Sequence, residues 1–194
     1  MGKVFRSILS KLIVLLLLIS LIPLIGSSVF NYLQTSKELV KNQREAALSL
    51  VQSKAQGMNE WLERRMSEME LSAKTEIIQS RDPARVRPYL LQIKEQSDVY
   101  ETVVLTGPDG SVIATTSEKA SVTNLSDRSY VQKGIKGEKT YSEVVISKAT
   151  GNRAITVSTP VKDHNGQVIG VIFGALNFES LVNSFLQVQE SEQN

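Results

Sequence analysis

The residues of this chain that could carry catalysis are few and poorly arranged for it. The single histidine, His164, lies in the turn sequence Asp163-His164-Asn165-Gly166, where a solvated turn residue is the simpler reading. There is no cysteine, which excludes a disulfide framework and a thiolate metal site. No His-x-x-x-His spacing, no paired carboxylates and no Ser-His-Asp set can be picked out. Gly107-Pro108-Asp109-Gly110 is not followed by Gly-Lys-Ser/Thr, so it is a turn and not a phosphate loop. Asp109 and Asp163 are turn formers whose side chains bond local backbone. No enzyme, metal site or cofactor is expected. What remains is binding chemistry. Arg128 opens a helix directly after a long polar loop, and its planar donor fork suits a carboxylate. It can equally pair with Asp127 or cap the fold.

The elements that must position such a site begin with an apolar run from Leu12 to Phe30 that contains no charge. A bilayer core is spanned by about 20 mainly apolar helical residues. The run is long enough, and Asn31-Tyr32 extends it toward an interface that favours Tyr. Pro23 and Gly26 are tolerated in membrane helices. The leader before it carries Lys3, Arg6 and Lys11 and no acid, so the positive-inside rule keeps residues 1–11 cytoplasmic and puts the rest outside. A cleaved signal peptide would have a shorter apolar region and an Ala-x-Ala-like site. Only Gly26-Ser27-Ser28 offers a weak version of one. The expectation is an uncleaved single-pass anchor over residues 12–32, in a plasma membrane.

Of the 194 residues, roughly 160 remain to fold, enough for one domain and a connector. The net charge is +2, with bases and acids interspersed, and no concentrated basic face points to nucleic acid. Residues 33–80 contain no proline and are rich in helix formers. Apolar residues recur there at steps of three and four, through Val51, Ala55, Met58, Leu62, Met66, Met69, Ala73 and Ile77. One long extracellular helix is predicted, with Trp61 packing at its edge. The stripe serves as a core face, as a dimer seam near the membrane, or as both in its two halves.

Asp82-Pro83 starts a second helix, which carries Val86, Tyr89, Leu90 and Ile93 and ends near Gln96. The period then changes. Strands are predicted from Tyr100 to Thr106 and over residues 111–116, 141–147, 153–161 and 168–176. A polar loop spans residues 117–126 and a short helix residues 127–136. Asn165-Gly166 is a strong hairpin signal. Residues 178–186 form a terminal amphipathic helix and residues 187–194 a polar tail. The architecture is α+β: a five-stranded antiparallel sheet with helices on one side, in a module over residues 81–186.

This order resembles the extracellular Cache domain of bacterial chemoreceptors and sensor kinases. The resemblance is carried by residues 103–114 (Val-Val-Leu-Thr-Gly-Pro-Asp-Gly-Ser-Val-Ile-Ala), 125–130 (Leu-Ser-Asp-Arg-Ser-Tyr), 146–151 (Ile-Ser-Lys-Ala-Thr-Gly), Pro160-Val161 and 166–171 (Gly-Gln-Val-Ile-Gly-Val). It looks most like the membrane-distal module of a double Cache domain. The resemblance implies a PAS-like sheet on a long helix, with a small-molecule pocket on the sheet's other face. It implies a ligand site at Arg128, Tyr130, Val145 and Ala175. Family members that bind amino acids have an arginine like Arg128 for the ligand carboxylate and an aromatic like Tyr130. They carry a second aromatic where Val131 stands, commonly a tyrosine where Val145 stands, and an aspartate for the ligand amine where Ala175 stands. The ligand expected here is therefore an organic anion with no required ammonium group. A double Cache receptor continues into a second module, a second membrane helix and an output domain, whereas this sequence ends at Asn194. The expected function is a sensing module without its own output domain, working through a receptor partner or a homodimer. The alternative is a non-binding interaction module that pairs through its long helix.

Overall fold

The computed structural model describes residues 8–118 and 122–186. Most of the expected leader, part of the polar loop and the expected tail over residues 187–194 lie outside the described residues. The chain falls into two units, residues 1–55 and 56–194. Helix α1 runs over Ile8–Ala73, with Pro23 inside it. In the first unit the described apolar side chains are exposed, Leu24 at 69%. Lys11–Tyr32, with mean hydropathy 2.7, is the one helical stretch among the described residues long and apolar enough to cross a membrane. Ser20 Oγ returns a hydrogen bond to the Leu17 carbonyl at 3.1 Å, so this polar side chain is satisfied within the helix itself.

In the second unit the expected helical stripe becomes core. Met66, Met69 and Ala73 are buried, with Leu62 packed against them. The single long helix expected to residue 80 breaks at Lys74-Thr75. Thr75 Oγ1 donates to the Ser72 carbonyl at 2.8 Å and accepts from the Ile78 amide. It thereby caps a separate short helix, α2 (Glu76–Ser80). Arg81 closes α2 in the left-handed region, at φ 54°. Asp82 then accepts from the Ala84 amide at 3.0 Å and starts α3 (Pro83–Glu95), which buries Val86 and Leu90.

The strands are β1 (Tyr100–Thr106), β2 (Val112–Thr115), β3 (Thr140–Tyr141), β4 (Val145–Ile146), β5 (Arg153–Lys162) and β6 (Val168–Asn177). They form one antiparallel sheet in the order β2-β1-β6-β5-β3, with β4 also pairing β5. The expected strand over residues 141–147 is thus two short strands, making six in all. From Tyr141 to Val145 the chain advances four positions, while its partner β5 retreats three, from Val157 to Ala154. The extra residue is absorbed at Ser142, whose amide donates to the Thr156 carbonyl and whose hydroxyl accepts from the Thr156 amide at 2.8 Å. This is a bulge in which a side chain replaces a ladder partner, and Val144 is turned out to solvent.

Alternation divides the sheet into two buried faces. Val103 and Leu105 of β1, Val157 and Val161 of β5, and Ile172 and Leu176 of β6 meet the α1–α3 side in one core. Each such fully buried aliphatic side chain contributes about 1.5–3 kcal/mol. A polar tie fixes α1 to β1: the Tyr100 hydroxyl donates to Glu68 at 2.7 Å, and Arg65 donates to the same carboxylate at 2.6 Å and to Ser97 at 3.1 Å. Burial, and then the neighbouring Glu68, push the Tyr100 hydroxyl above its usual ionisation range. Trp61 packs against this core with its ring edge-on to Phe185, at 87°.

The sequence reading placed the helices on one side of the sheet, and the structure corrects this. Helix α4 (Ser129–Ile135) covers part of the second face, and α5 (Phe178–Leu186) follows β6. Tyr130 and Val131 of α4 pack on Val104 and Phe173. Gly134 lets α4 come close, since a Cβ there would lie 2.6 and 2.7 Å from the two Val171 methyls. The β5–β6 hairpin turns at Gly166, at φ 80°, and Asp163 Oδ1 accepts from the Asn165 and Gln167 amides at 2.9 Å each.

Candidate ligand site

The second face is covered by α4 at one end and leaves a cavity beside it, of about 40 Å³. A single water needs at least about 10–15 Å³ of such volume, so the space is large enough for a small solute's end or ordered water. Its floor is a cross-strand row. Thr102 of β1, Ala175 of β6 and Thr156 of β5 are register partners, and all three line the cavity, as do Val104, Ala154 and Phe173. One wall comes from β2 and the loop after it, through Val112, Thr115, Ser117, Val122 and Leu125. The other is β4 and the turn that follows, through Val145, Ser147, Lys148 and Ala149. Tyr130 closes the α4 end, its ring 5.0 Å from that of Phe173 at 63°. The first residues of α4 are held to the sheet by Ser158 Oγ, which donates to the Tyr130 carbonyl at 3.0 Å.

The site's electrostatics are simple. Lys148 is the one charged side chain among the described lining residues. Its ammonium donates to both oxygens of Asp127, at 2.8 and 2.7 Å, and holds that carboxyl below the usual carboxylate range. Burial pushes the Tyr130 hydroxyl's ionisation up, while the positive charge of Arg128 pulls it the other way. The remaining polar groups are hydroxyls of Thr102, Thr115, Ser117, Ser147 and Thr156. Such a cavity can hold a short apolar body and bond a few acceptors.

Of the four residues expected at a ligand site, the structure brings Tyr130, Val145 and Ala175 to this cavity. Arg128 is not among the lining residues. It is the N-cap residue of α4, makes no side-chain cap bond, and keeps its Nε buried without a partner. His164 is exposed in its turn. Sequence reasoning did not single out Lys148, Thr102, Thr156 or Phe173. Strand alternation was the signal for the last three, because Thr156 lies on the face opposite Ile155 and Val157.

The sequence model of the Cache domain family matches residues 34–194. The chain belongs to the Cache family. Solved structures similar to this Cache domain include the E. coli DcuS sensor domain, at TM-score 0.56 and 16% identity, over 65% of this chain and 95% of that one. The ligand-binding domain of the Pseudomonas fluorescens chemoreceptor CtaA, in complex with L-serine, matches at TM-score 0.59 and 24% identity over 69% of this chain. The sensor domain of the V. cholerae histidine kinase DctB matches at 0.59 and 19% over 74%. At these identities the likeness establishes the fold. The Cache chain spans 58% of the CtaA domain and 61% of the DctB domain. A comparison with curated protein sequences found no match.

Proposed function

We propose that this Cache domain is a membrane-anchored, extracellular sensing module that binds a small organic anion and is not an enzyme. The carrying observation is the cavity: small, mostly apolar, on the sheet face away from α1, with Lys148 lining it and no acidic side chain among its described lining residues. The ligand-contacting set is Tyr130, Val145 and Ala175, with Arg128 adding positive charge beside Tyr130. The similar CtaA domain was solved with L-serine and with L-alanine, and the Pseudomonas aeruginosa chemoreceptor PctC with GABA. Those ligands carry an ammonium group. In this chain Ala175 and Val145 offer it no carboxylate, and burying an unpaired cation is costly. The apolar stretch Lys11–Tyr32 supports the anchor, and the bases of the leader support a cytoplasmic N-terminus.

The test is a thermal-shift screen of the full chain in detergent against short carboxylic acids, amino acids, amines and purines. A binder at a hundred times its dissociation constant adds about 2.7 kcal/mol and raises the melting temperature. The expected binders are short carboxylates. A screen in which no small solute shifts the melting temperature removes the reading.

A second reading is favoured by one observation. Val40, Leu48 and Val51 of α1 are exposed, Val51 at 65%, although they continue the apolar stripe. Pairing of this segment with a second copy, or with a full-length receptor, would cover them. Single cysteines placed along residues 39–55 should crosslink in membranes at steps of three and four. Uniform absence of crosslinks excludes the pairing.

A further inference from the structure

We propose that Lys148 takes the anionic end of the ligand, and that it does so by leaving the carboxylate of Asp127. The inference rests on the organic-anion reading above and adds to it the residue and the exchange it makes. Lys148 is the only charged side chain among the described residues that line the cavity. Its ammonium is already engaged, donating to both Asp127 oxygens at 2.8 and 2.7 Å. The two partners come from different lining segments. Lys148 stands in the turn between β4 and β5, which also gives Ser147 and Ala149 to the lining. Asp127 stands between Leu125 and Tyr130, which line it from the other side.

The ion pair therefore ties two segments together across the cavity. A ligand that takes the ammonium breaks this tie and leaves the two segments free to part. The tie is suited to giving way. The Lys148 side chain is 37% exposed and that of Asp127 61%, and an ion pair in water is weak. A carboxylate in the cavity would meet the same ammonium on its drier side, where charge-assisted hydrogen bonds are stronger. Asp127 would return to solvent, where its charge is already largely hydrated. Asp127 is in this sense an internal competitor, occupying the lysine until a ligand carboxylate arrives.

A competitor and a structural clamp predict opposite results for one substitution. The probes are propionate and its neutral amide, titrated by calorimetry into the full chain in detergent. Lys148→Met keeps the apolar stem and removes the charge. It should weaken propionate about tenfold or more, the range for a hydrogen bond to a charged group, and leave propionamide within about twofold. Lys148→Arg should retain propionate binding. Asp127→Asn frees the lysine and should tighten propionate about two- to fivefold, the size of an exposed ion pair, with propionamide unchanged. If Asp127→Asn and Lys148→Met both weaken acid and amide alike, the pair is only a clamp and the proposal is overturned. Unchanged propionate affinity in Lys148→Met overturns it while leaving the organic-anion reading standing. If neither the wild type nor Asp127→Asn binds propionate, while longer or branched acids bind regardless of Lys148, the proposal again falls alone. If no acid binds at all, the organic-anion reading falls with it.

Discussion

Ile172→Ala should destabilise the folded module by about 2–5 kcal/mol, the range for truncating a buried aliphatic side chain in a core that cannot collapse around the hole. Ile172 is 0% exposed and lies on the central strand β6, where its backbone is paired on both sides, opposite Leu105 of β1 and Thr159 of β5. Its side chain belongs to the core that joins the sheet to Met66, Met69, Val86 and Leu90. Neighbours held on two sides by ladder hydrogen bonds have little freedom to move inward. The matched control is Ile146→Ala. Ile146 is 57% exposed, and a surface change of this kind stays within about 0.5 kcal/mol. Urea unfolding of the full chain in detergent, followed by the fluorescence of Trp61, measures both. Trp61 is the only tryptophan and packs against the same core. Equal effects of the two substitutions would mean that the sheet does not pack on α1 and α3 as described.

Much of this fold was legible in the sequence where a local signal dictates the local structure. Asp82-Pro83 started a helix, as a cap and a proline at the first helical position should. Asn165-Gly166 turned a hairpin, and the strands around it alternated. Three features were not legible, the last two because they depend on distant parts of the chain. Thr75 ends α1 inside a run of good helix formers, by hydrogen bonds that no proline or glycine announces. Ser142 breaks the expected strand over residues 141–147 because its hydroxyl meets the Thr156 amide of another strand. Helix α4 crosses to the second face because Gly134 lets it settle on Val171, a contact between residues far apart in sequence.

The cavity was legible in part. The resemblance led to Tyr130, Val145 and Ala175, and all three line it. It also led to Arg128, which the start of α4 places beside the cavity and not among its lining residues. Lys148 was hidden for a physical reason. A lysine in a hairpin turn normally reads as a solvated charge, and only the approach of that turn to the loop before α4 brings it to the cavity.

Ala175→Leu should abolish ligand binding while the protein stays folded. Ala175 is 5% exposed and sits at the middle of the cavity floor, between its register partners Thr102 and Thr156. Leucine adds three carbons there, at the middle of a cavity of about 40 Å³, and so blocks it. The added atoms fill a void and do not displace packed neighbours, so the overpacking cost of about 1–3 kcal/mol seen in dense cores should largely be avoided. The melting temperature without ligand should change little or rise. The shift caused by an organic anion should vanish. The opposite outcome, a retained shift, would place the ligand elsewhere on the molecule.

The most direct test of the account is a calorimetric titration of short monocarboxylates, from formate to butyrate, into the full chain and into Ala175→Leu, both in detergent. The account predicts saturable one-site binding of at least one acid to the wild type, weaker binding of the corresponding α-amino acid, and no heat of binding in Ala175→Leu. An amino acid that binds more tightly than its parent acid, or an acid that binds Ala175→Leu as well as the wild type, would contradict it.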